Sequence, residues 1–216
     1  MFTGIIEATG HLSAIRPQGG DLTVTISSDN LDFTDVKLGD SIASNGVCLT
    51  VTALNKHSFN ADLSSETLAH TLFGQYKTGQ RINLEKALLP TTRMGGHLVS
   101  GHVDGVTQVV KLEQSGRAWH IWLALPKHLA PYIATKGSVT VDGISLTVNE
   151  LTADAFRLTI VPHTAQHTTI AGLKSGSKVH LEVDLIARYL ERLLNKDSAA
   201  TSSGVSMALL AQRGFV

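Results

Sequence analysis

The sequence predicts an all-β protein: two tandem, internally duplicated six-stranded barrels with Greek-key-like order, followed by a C-terminal helix. Three observations predict it. The chain repeats itself, with TGIIEATG (3–10) lying on SGHVDGVT (100–107) and SIASNGVCLTV (41–51) on SVTVDGISLTV (138–148), at a constant offset of 97. Segments such as DLTVTIS (21–27), GISLTV (143–148) and RLTIV (157–161) alternate apolar and hydroxyl residues with period two, as half-buried strands do. Asn45-Gly46 and Asp142-Gly143 fall at matching positions, and such dipeptides suit a two-residue hairpin whose central residues both need positive φ.

The repeat sets the domain boundaries. Leu54 meets Leu151, Phe59 meets Phe156, Thr67 meets Thr164, His70 meets His167, Gly79 meets Gly176, and INLE (82–85) meets VHLE (179–182), all without a gap. One barrel is therefore expected over residues 1–94 and the second over 95–184. Beyond them, Leu185, Ile186, Tyr189, Leu190, Leu193 and Leu194 form an apolar stripe at helical spacing, with Arg188, Glu191 and Arg192 off it. That predicts a helix over 185–196, its stripe packing on its own domain or, as the expectation preferred here, on another copy of the chain. DSAATSSG (197–204) reads as a flexible linker and the end of the chain as at most a short helix, so 197–216 is expected to be linker and tail.

Composition narrows the function classes. With 216 residues, 43% of them hydrophobic, the chain suits two domains of about 100 residues each. Eighteen basic residues balance eighteen acidic ones, which leaves no electrostatic footprint for nucleic acid or an anionic membrane. The single Cys48 rules out an intrachain disulfide and fits a reducing compartment. MFTGIIEATG lacks the basic and apolar regions of a signal peptide, and no apolar run reaches membrane-spanning length. The expectation is a soluble cytoplasmic protein.

Candidate functional residues come from the strand pattern. In VCLTV, Val47, Leu49 and Val51 share one face and Cys48 and Thr50 the other, while the second copy sets Ile144, Leu146 and Val148 against Ser145 and Thr147. If the aliphatic face is core, the outer face carries small polar groups that would admit a flat ligand; the alternative is ordinary strand residues of good β propensity. Cys48 aligns with Ser145, so only the first copy has a thiol there, as an activator or nucleophile or as a small packed side chain. His102 aligns with Ile5, so only the second copy has an imidazole there, as a proton-transfer or orienting group or a structural one. His97, in GGHLVSGHVDG (95–105), sits at the junction of the copies, where a structural role and a chemical one both remain open. The spacings of His97, His102, His163 and His167 match no closed metal-ligand set, so no metal is expected.

MFTGII, NGVCLTV, GGHLVSGHVDG, DGISLTV and the half-chain repeat together resemble the riboflavin synthases, enzymes of two lumazine-binding repeats, over residues 1–194. The terminal AQRGF is similar to the short tail of many members. The resemblance implies the last step of riboflavin biosynthesis: two 6,7-dimethyl-8-ribityllumazine become riboflavin and 5-amino-6-(D-ribitylamino)uracil, with no metal or added cofactor. It implies a homotrimer in which the reacting pair meets between the N-terminal barrel of one subunit and the C-terminal barrel of its neighbour. One lumazine loses a proton from its C7 methyl group while the other receives a nucleophile at C7. Holding the two rings in contact is expected to contribute most, with acid–base groups adding about 10²–10⁴-fold.

The same resemblance assigns catalytic roles to Cys48, His102, Ser41, Thr147 and Asp184. It lines the first pocket with Gly4, Ile5, Ile6, Cys48, Leu49, Thr50, Asp62, Leu63, Ser64, Ser65, Glu66 and Thr67, closed by Phe2. The second pocket takes Gly101, His102, Val103, Lys136, Ser145, Leu146, Thr147, Thr159, Ile160, Val161, Pro162, His163 and Thr164. Ser64 and His163 occupy positions at which the family varies. Two rivals stand beside the enzyme. A non-catalytic lumazine- or flavin-carrying antenna protein is disfavoured by the joint presence of Ser41, Cys48, His102 and Thr147. A flavin oxidoreductase would need a nucleotide-binding domain, and no G-x-G-x-x-G follows a strand.

Overall fold

The computed structural model describes residues 1–200 and 207–214. Strands β1 (Ala8–Gln18), β2 (Asp21–Ser27), β3 (Ser41–Ser44), β4 (Val47–Asn55), β5 (Ser58–Leu63) and β6 (Arg81–Lys86) close one barrel in the order β1-β2-β5-β4-β3-β6. Strands β7 (Gly105–Ser115), β8 (Ala118–Ala124), β9 (Ser138–Val141), β10 (Ile144–Leu151), β11 (Ala155–Ile160) and β12 (Lys178–Val183) close a second in the equivalent order. All pairings are antiparallel. Helix α1 (Ser65–His70) follows β5 and helix α2 (Pro162–His167) follows β11. Every one of these elements starts 97 residues after its counterpart, as the sequence repeat predicts.

The alternation seen in sequence is the in–out alternation of the barrels. Val24, Ile26, Phe59, Ala61 and Leu63 fill the first interior, and Ile121, Leu123, Phe156, Leu158 and Ile160 the second. Burying such side chains contributes roughly 25 cal/mol per Å2 of apolar surface, which is what holds two small barrels closed. Asn45 (φ 47°) with Gly46 (φ 81°), and Asp142 (φ 45°) with Gly143 (φ 81°), form the expected tight hairpins between β3 and β4 and between β9 and β10. Bulges at equivalent places, between Leu12 and Ala14 and between Val109 and Lys111, bend the long strands β1 and β7 around the barrel.

The segments that precede β1 and β7 cross between barrels. Phe2 and Val99, equivalent in the repeat, pair with each other through N–H···O bonds of 2.8 and 3.1 Å. The Glu85 carboxylate accepts from the Thr3 amide and hydroxyl, both 2.7 Å, and from the Gly4 amide at 2.9 Å. Glu182 holds Ser100 and Gly101 in the same way at 2.7, 2.7 and 3.1 Å. Each strap then lies on the opposite barrel: the Ser145 amide of β10 donates to Gly4 O, and the Cys48 amide of β4 to Gly101 O, both 2.8 Å. Ile6 packs on the second core and Val103 on the first. The expected assignment of Gly4–Ile6 to the first pocket and Gly101–Val103 to the second is therefore reversed.

The reciprocal Phe2–Val99 bonds and strap contacts define a pseudo-twofold axis between the barrels, and a buried polar cluster joins them about it. Asn83 donates Nδ2–H to Asp142 O (2.9 Å) and its Oδ1 accepts from the Thr169 amide (2.8 Å). His180, its counterpart, faces Asn45 O through Nδ1 (2.8 Å) and accepts from the Leu72 amide at Nε2 (2.8 Å). Because Nε2 accepts, the proton sits on Nδ1, and the imidazole reproduces the donor and acceptor of the asparagine amide. Asp142 Oδ1 lies 3.6 Å from Nδ1, but that proton is already engaged by Asn45, so the two do not form an ion pair. Burial pushes His180 down to about 4 and Asp142 up to about 7.

Helix α3 (Leu185–Ala200) runs four residues beyond the expected end at 196, so the first part of the expected linker is helical. Ile186, Tyr189, Leu190, Leu193 and Leu194 are all more than half exposed. Helix α4 (Met207–Gln212) is the short terminal helix. The rest of the expected linker, 201–204, and the last two residues of the tail lie outside the described residues. Among the described residues no helix is long and apolar enough to cross a membrane.

Two outcomes test this frame. Gly101 has φ 80° and an added Cβ would stand 2.7 Å from Cys48 Cβ, so Gly101→Ala is expected to destabilise the fold by about 2 kcal/mol or more in urea unfolding. The Asp142 carboxyl, raised from 3.8 to about 7, contributes stability that is full below the lower value and is lost as pH rises through the higher. His180, lowered from 6.5 to about 4, contributes stability that is full above 6.5 and is lost as pH falls. The two slopes oppose each other between pH 4 and 6.5. Asp142→Asn is therefore expected to raise stability at pH 8 and to leave a plain rise with pH across that window, read by denaturant melts at several pH values.

Candidate functional site

Two equivalent exterior faces form, one per barrel. On the first, Val47, Leu49 and Val51 of β4 point into the core while Cys48 is half-buried and Thr50 exposed, with Ser41 paired across from Thr50 on β3. The Gly101–Val103 strap covers Cys48 and leaves the His102 side chain exposed beside it. Ser100 Oγ accepts the His102 amide at 3.2 Å, so the turn that presents the imidazole is anchored on Glu182. Burial raises that carboxyl above its ordinary range, against the lowering effect of the Ser100, Gly101 and His102 donors.

The antiparallel register, Val51 opposite Ala61, runs the Cys48–Thr50 end of β4 toward Asp62 and the start of α1. There several expected contacts have structural partners. Asp62 accepts the Thr23 hydroxyl at 2.7 Å, Ser64 caps α1 by accepting the Thr67 amide at 3.2 Å, the Ser65 amide donates to Asp21 at 2.9 Å, and Glu66 meets His70 at 3.1 Å. Phe2, Leu49, Leu63 and Ile160 have fully or almost fully buried side chains and are core residues. Phe2 does not close a pocket as expected: it packs with Ala43, Cys48, Ala87 and Val99 behind the first face.

On the second face Ser145 is half-buried and Thr147 exposed, with Ser138 across from Thr147. The Gly4–Ile6 strap lies along it with Ile5 exposed. Leu146 is only half-buried, so the second copy is less strictly alternating than the first. Lys136 takes the left-handed conformation (φ 69°) and donates its amide to Val148 O at 2.7 Å, which sets its exposed side chain at the start of the β9–β10 hairpin. Val148 opposite Leu158 runs Ser145–Thr147 toward Thr159, Val161 and α2, which begins at Pro162. Thr164 is half-buried there, and His163 stacks on His167 with ring centroids 4.2 Å apart.

The structure gathers His97, Ser145 and Asp184, which the sequence singled out separately, around a residue it did not, Thr140. His97 Nδ1 lies 2.7 Å from Ser145 Oγ, and its Nε2 lies 3.2 Å from Oγ1 of Thr140. Partial burial lowers the imidazole's pKa, and the Asp184 carboxylate acts in the opposite sense. Thr140 was missed because it lies in SVTV as an ordinary strand residue; the signal available was its alignment with Ala43, apolar in one copy and polar in the other.

A cleft of about 640 Å3 is lined by Thr3, Ile5, Ser41, Glu85, Lys86 and Arg93 among others. Lys86 is tied there to Asp35 at 2.7 Å. Ser41 therefore borders both this cleft and the Thr50 face, whereas Thr147 is exposed and Cys48 is half-buried under the Gly101–Val103 strap. Among the described residues, no three His, Cys, Asp or Glu side chains converge as a metal-binding group.

Comparison with known proteins adds to this geometry. Residues 3–87 and 100–184 each match the lumazine binding domain. The chain is 57% identical over 217 residues to the riboflavin synthase of Photobacterium phosphoreum, and 40% identical over 216 residues to that of Bacillus subtilis (strain 168), with 100% of each chain covered in both cases. Among solved structures, LumP complexed with riboflavin gives a TM-score of 0.78 at 22% identity, covering 85% of this chain and 99% of that one. LumP complexed with 6,7-dimethyl-8-(1'-D-ribityl) lumazine gives 0.76 with the same coverage. These two likenesses bear on the fold.

Proposed function

The chain belongs to the riboflavin synthase family of paired lumazine-binding domains, and on that premise we propose that its two faces each bind one 6,7-dimethyl-8-ribityllumazine and pass a four-carbon unit between them. The products are riboflavin and 5-amino-6-(D-ribitylamino)uracil. Atoms and electrons balance between two identical substrates, so the reaction needs no external oxidant. The observation that carries the reading is a pair of matched but chemically unequal faces: Cys48 beside the His102 strap in one, Ser145 beside the Ile5 strap in the other.

In this reading the chain's main contribution is positional. Thr50 and Thr147, with main-chain groups of Leu49, Leu146 and the straps, hold the ring edges, while hydroxyl and carboxylate groups at Asp62, Thr67, Thr159 and Thr164 take the ribityl chains. Bringing the two rings into contact removes most of the entropic barrier. His102, Cys48, Ser41, Thr147 and Asp184 assist proton movement between the bound rings. Lys136 places a cation at the second site.

Both faces are open to the exterior, which suits completion of each reaction site by a neighbouring subunit. The exposed stripe of α3 supplies a surface for a homotrimer, the assembly proposed here for a cytoplasmic enzyme. Light scattering at the mass of three chains is the expected result, and Leu190→Asp with Leu193→Asp is expected to give monomers that have lost at least about tenfold in turnover, since one barrel of each pair is then missing.

The direct test is to mix the protein with 6,7-dimethyl-8-ribityllumazine alone and follow riboflavin absorbance and fluorescence. Two lumazines consumed per riboflavin formed is the expected stoichiometry. Tight binding without turnover would make the chain a lumazine carrier instead. Cys48→Ser is expected to lower kcat by at least about tenfold with lumazine binding largely kept, and unchanged turnover would remove the thiol from the mechanism.

A further inference from the structure

The two halves differ in a coordinated way behind their functional strands. In the first, Ala43, Cys48 and Ala87 surround the ring of Phe2, which is fully buried. The equivalent positions in the second half are Thr140, Ser145 and Asp184. Three positions that are apolar or weakly polar in one half have all become polar in the other. The aromatic group they surround changes with them, and it comes from a different place in the repeat: the first half uses Phe2, whereas the second uses His97, two positions before Val99, the equivalent of Phe2.

The backbone is shaped to deliver that ring. The His97 amide donates to Thr3 O at 3.1 Å, so the 95–97 segment lies across the strap that itself lies across Ser145. Gly96 has room for no side chain: a Cβ there would collide with Thr3 O and would stand 2.7 Å from Ser145 Cβ. The imidazole thus reaches Ser145 Oγ at 2.7 Å, with Thr140 Oγ1 3.2 Å from its other nitrogen and the Asp184 carboxylate close enough to act on it. A ring held by hydroxyls at both nitrogens has a defined orientation, and the short Ser145 contact gives that hydroxyl a defined direction in turn.

We propose that His97 is a positioning residue of the second lumazine site, which fixes the Ser145 hydroxyl toward the bound ring and so makes the two sites unequal. The proposal rests on the reading that Ser145 lines a lumazine site. In the first half the equivalent residue, Cys48, is packed against Phe2 instead. The duplicated protein thereby presents one directed hydroxyl and one thiol to two identical substrates, and the difference in their environments decides which substrate plays which part.

The test compares His97→Phe, His97→Gln, Ser145→Ala and the double variant His97→Phe/Ser145→Ala with the unchanged protein, measuring kcat, KM for 6,7-dimethyl-8-ribityllumazine and the thermal midpoint. His97→Phe is expected to lower kcat at least about tenfold with KM changed less than about threefold. His97→Gln, which keeps a hydrogen-bonding group, is expected to recover most of that loss. Ser145→Ala is expected to match His97→Phe, and the double variant to be no worse than either single one, because both remove one coupled interaction. If His97→Phe folds poorly, the contrast between His97→Gln and Ser145→Ala decides. Normal kcat in His97→Phe, or losses that add in the double variant, would overturn the proposal while the unchanged protein still forms riboflavin. An unchanged protein that forms no riboflavin overturns the reading of function, and this proposal with it.

Discussion

Two backbone hydrogen bonds, from Ser145 N–H to Gly4 O and from Cys48 N–H to Gly101 O, bind strands β10 and β4 each to the segment that leads into the other barrel. Each strap is clamped at its root by a buried glutamate of its own barrel, Glu85 or Glu182, and at its tip by the neighbouring barrel. Neither barrel can therefore complete its exterior face without the other. The glycines at the crossing follow from this geometry, since both Gly4 and Gly101 combine positive φ with a distance to the facing strand that no Cβ tolerates.

The axis between the barrels is held by polar groups rather than by a continuous apolar core. Buried amides and carbonyls left unpaired would each cost about 1–3 kcal/mol, so the hairpin tips meet only because Asn83 and His180 satisfy them across the axis. The histidine performs the work of an amide because one ring nitrogen donates and the other accepts, which burial enforces by keeping the ring neutral. The exchange of Asn45 for Asp142 on the same axis introduces an acid that burial keeps protonated up to about neutral pH. The inter-barrel contact is thus pseudo-symmetric in geometry and unsymmetric in chemistry.

That combination matches the chemical demand. A reaction between two identical molecules needs two binding faces of one shape and different reactivity. Duplication supplies the shape, and a few positions supply the difference: Cys48 against Ser145, Ile5 against His102, Ala43 against Thr140, Ala87 against Asp184. The apolar stripe on α3, by contrast, has no counterpart in the repeat and is left exposed.

The constant offset of 97, the period-two alternation and the Asn-Gly and Asp-Gly turns were enough to determine two equivalent barrels, because each is a local pattern tied to backbone geometry. They also singled out the Cys48 and Ser145 strands, since an outer face of small polar residues is visible in the alternation itself. The crossing of the straps was not legible. A repeat aligns Gly4 with Gly101 equally well whether each strap serves its own barrel or the other, for both arrangements use the same local turn and the same glutamate clamp. For the same reason Phe2 read as a lid while it is core, and His97 read as undecided while its ring bridges Ser145 and Thr140. Which residues belong to which site depends on contacts between segments about 50 to 140 residues apart in the chain, and packing in three dimensions alone sets those.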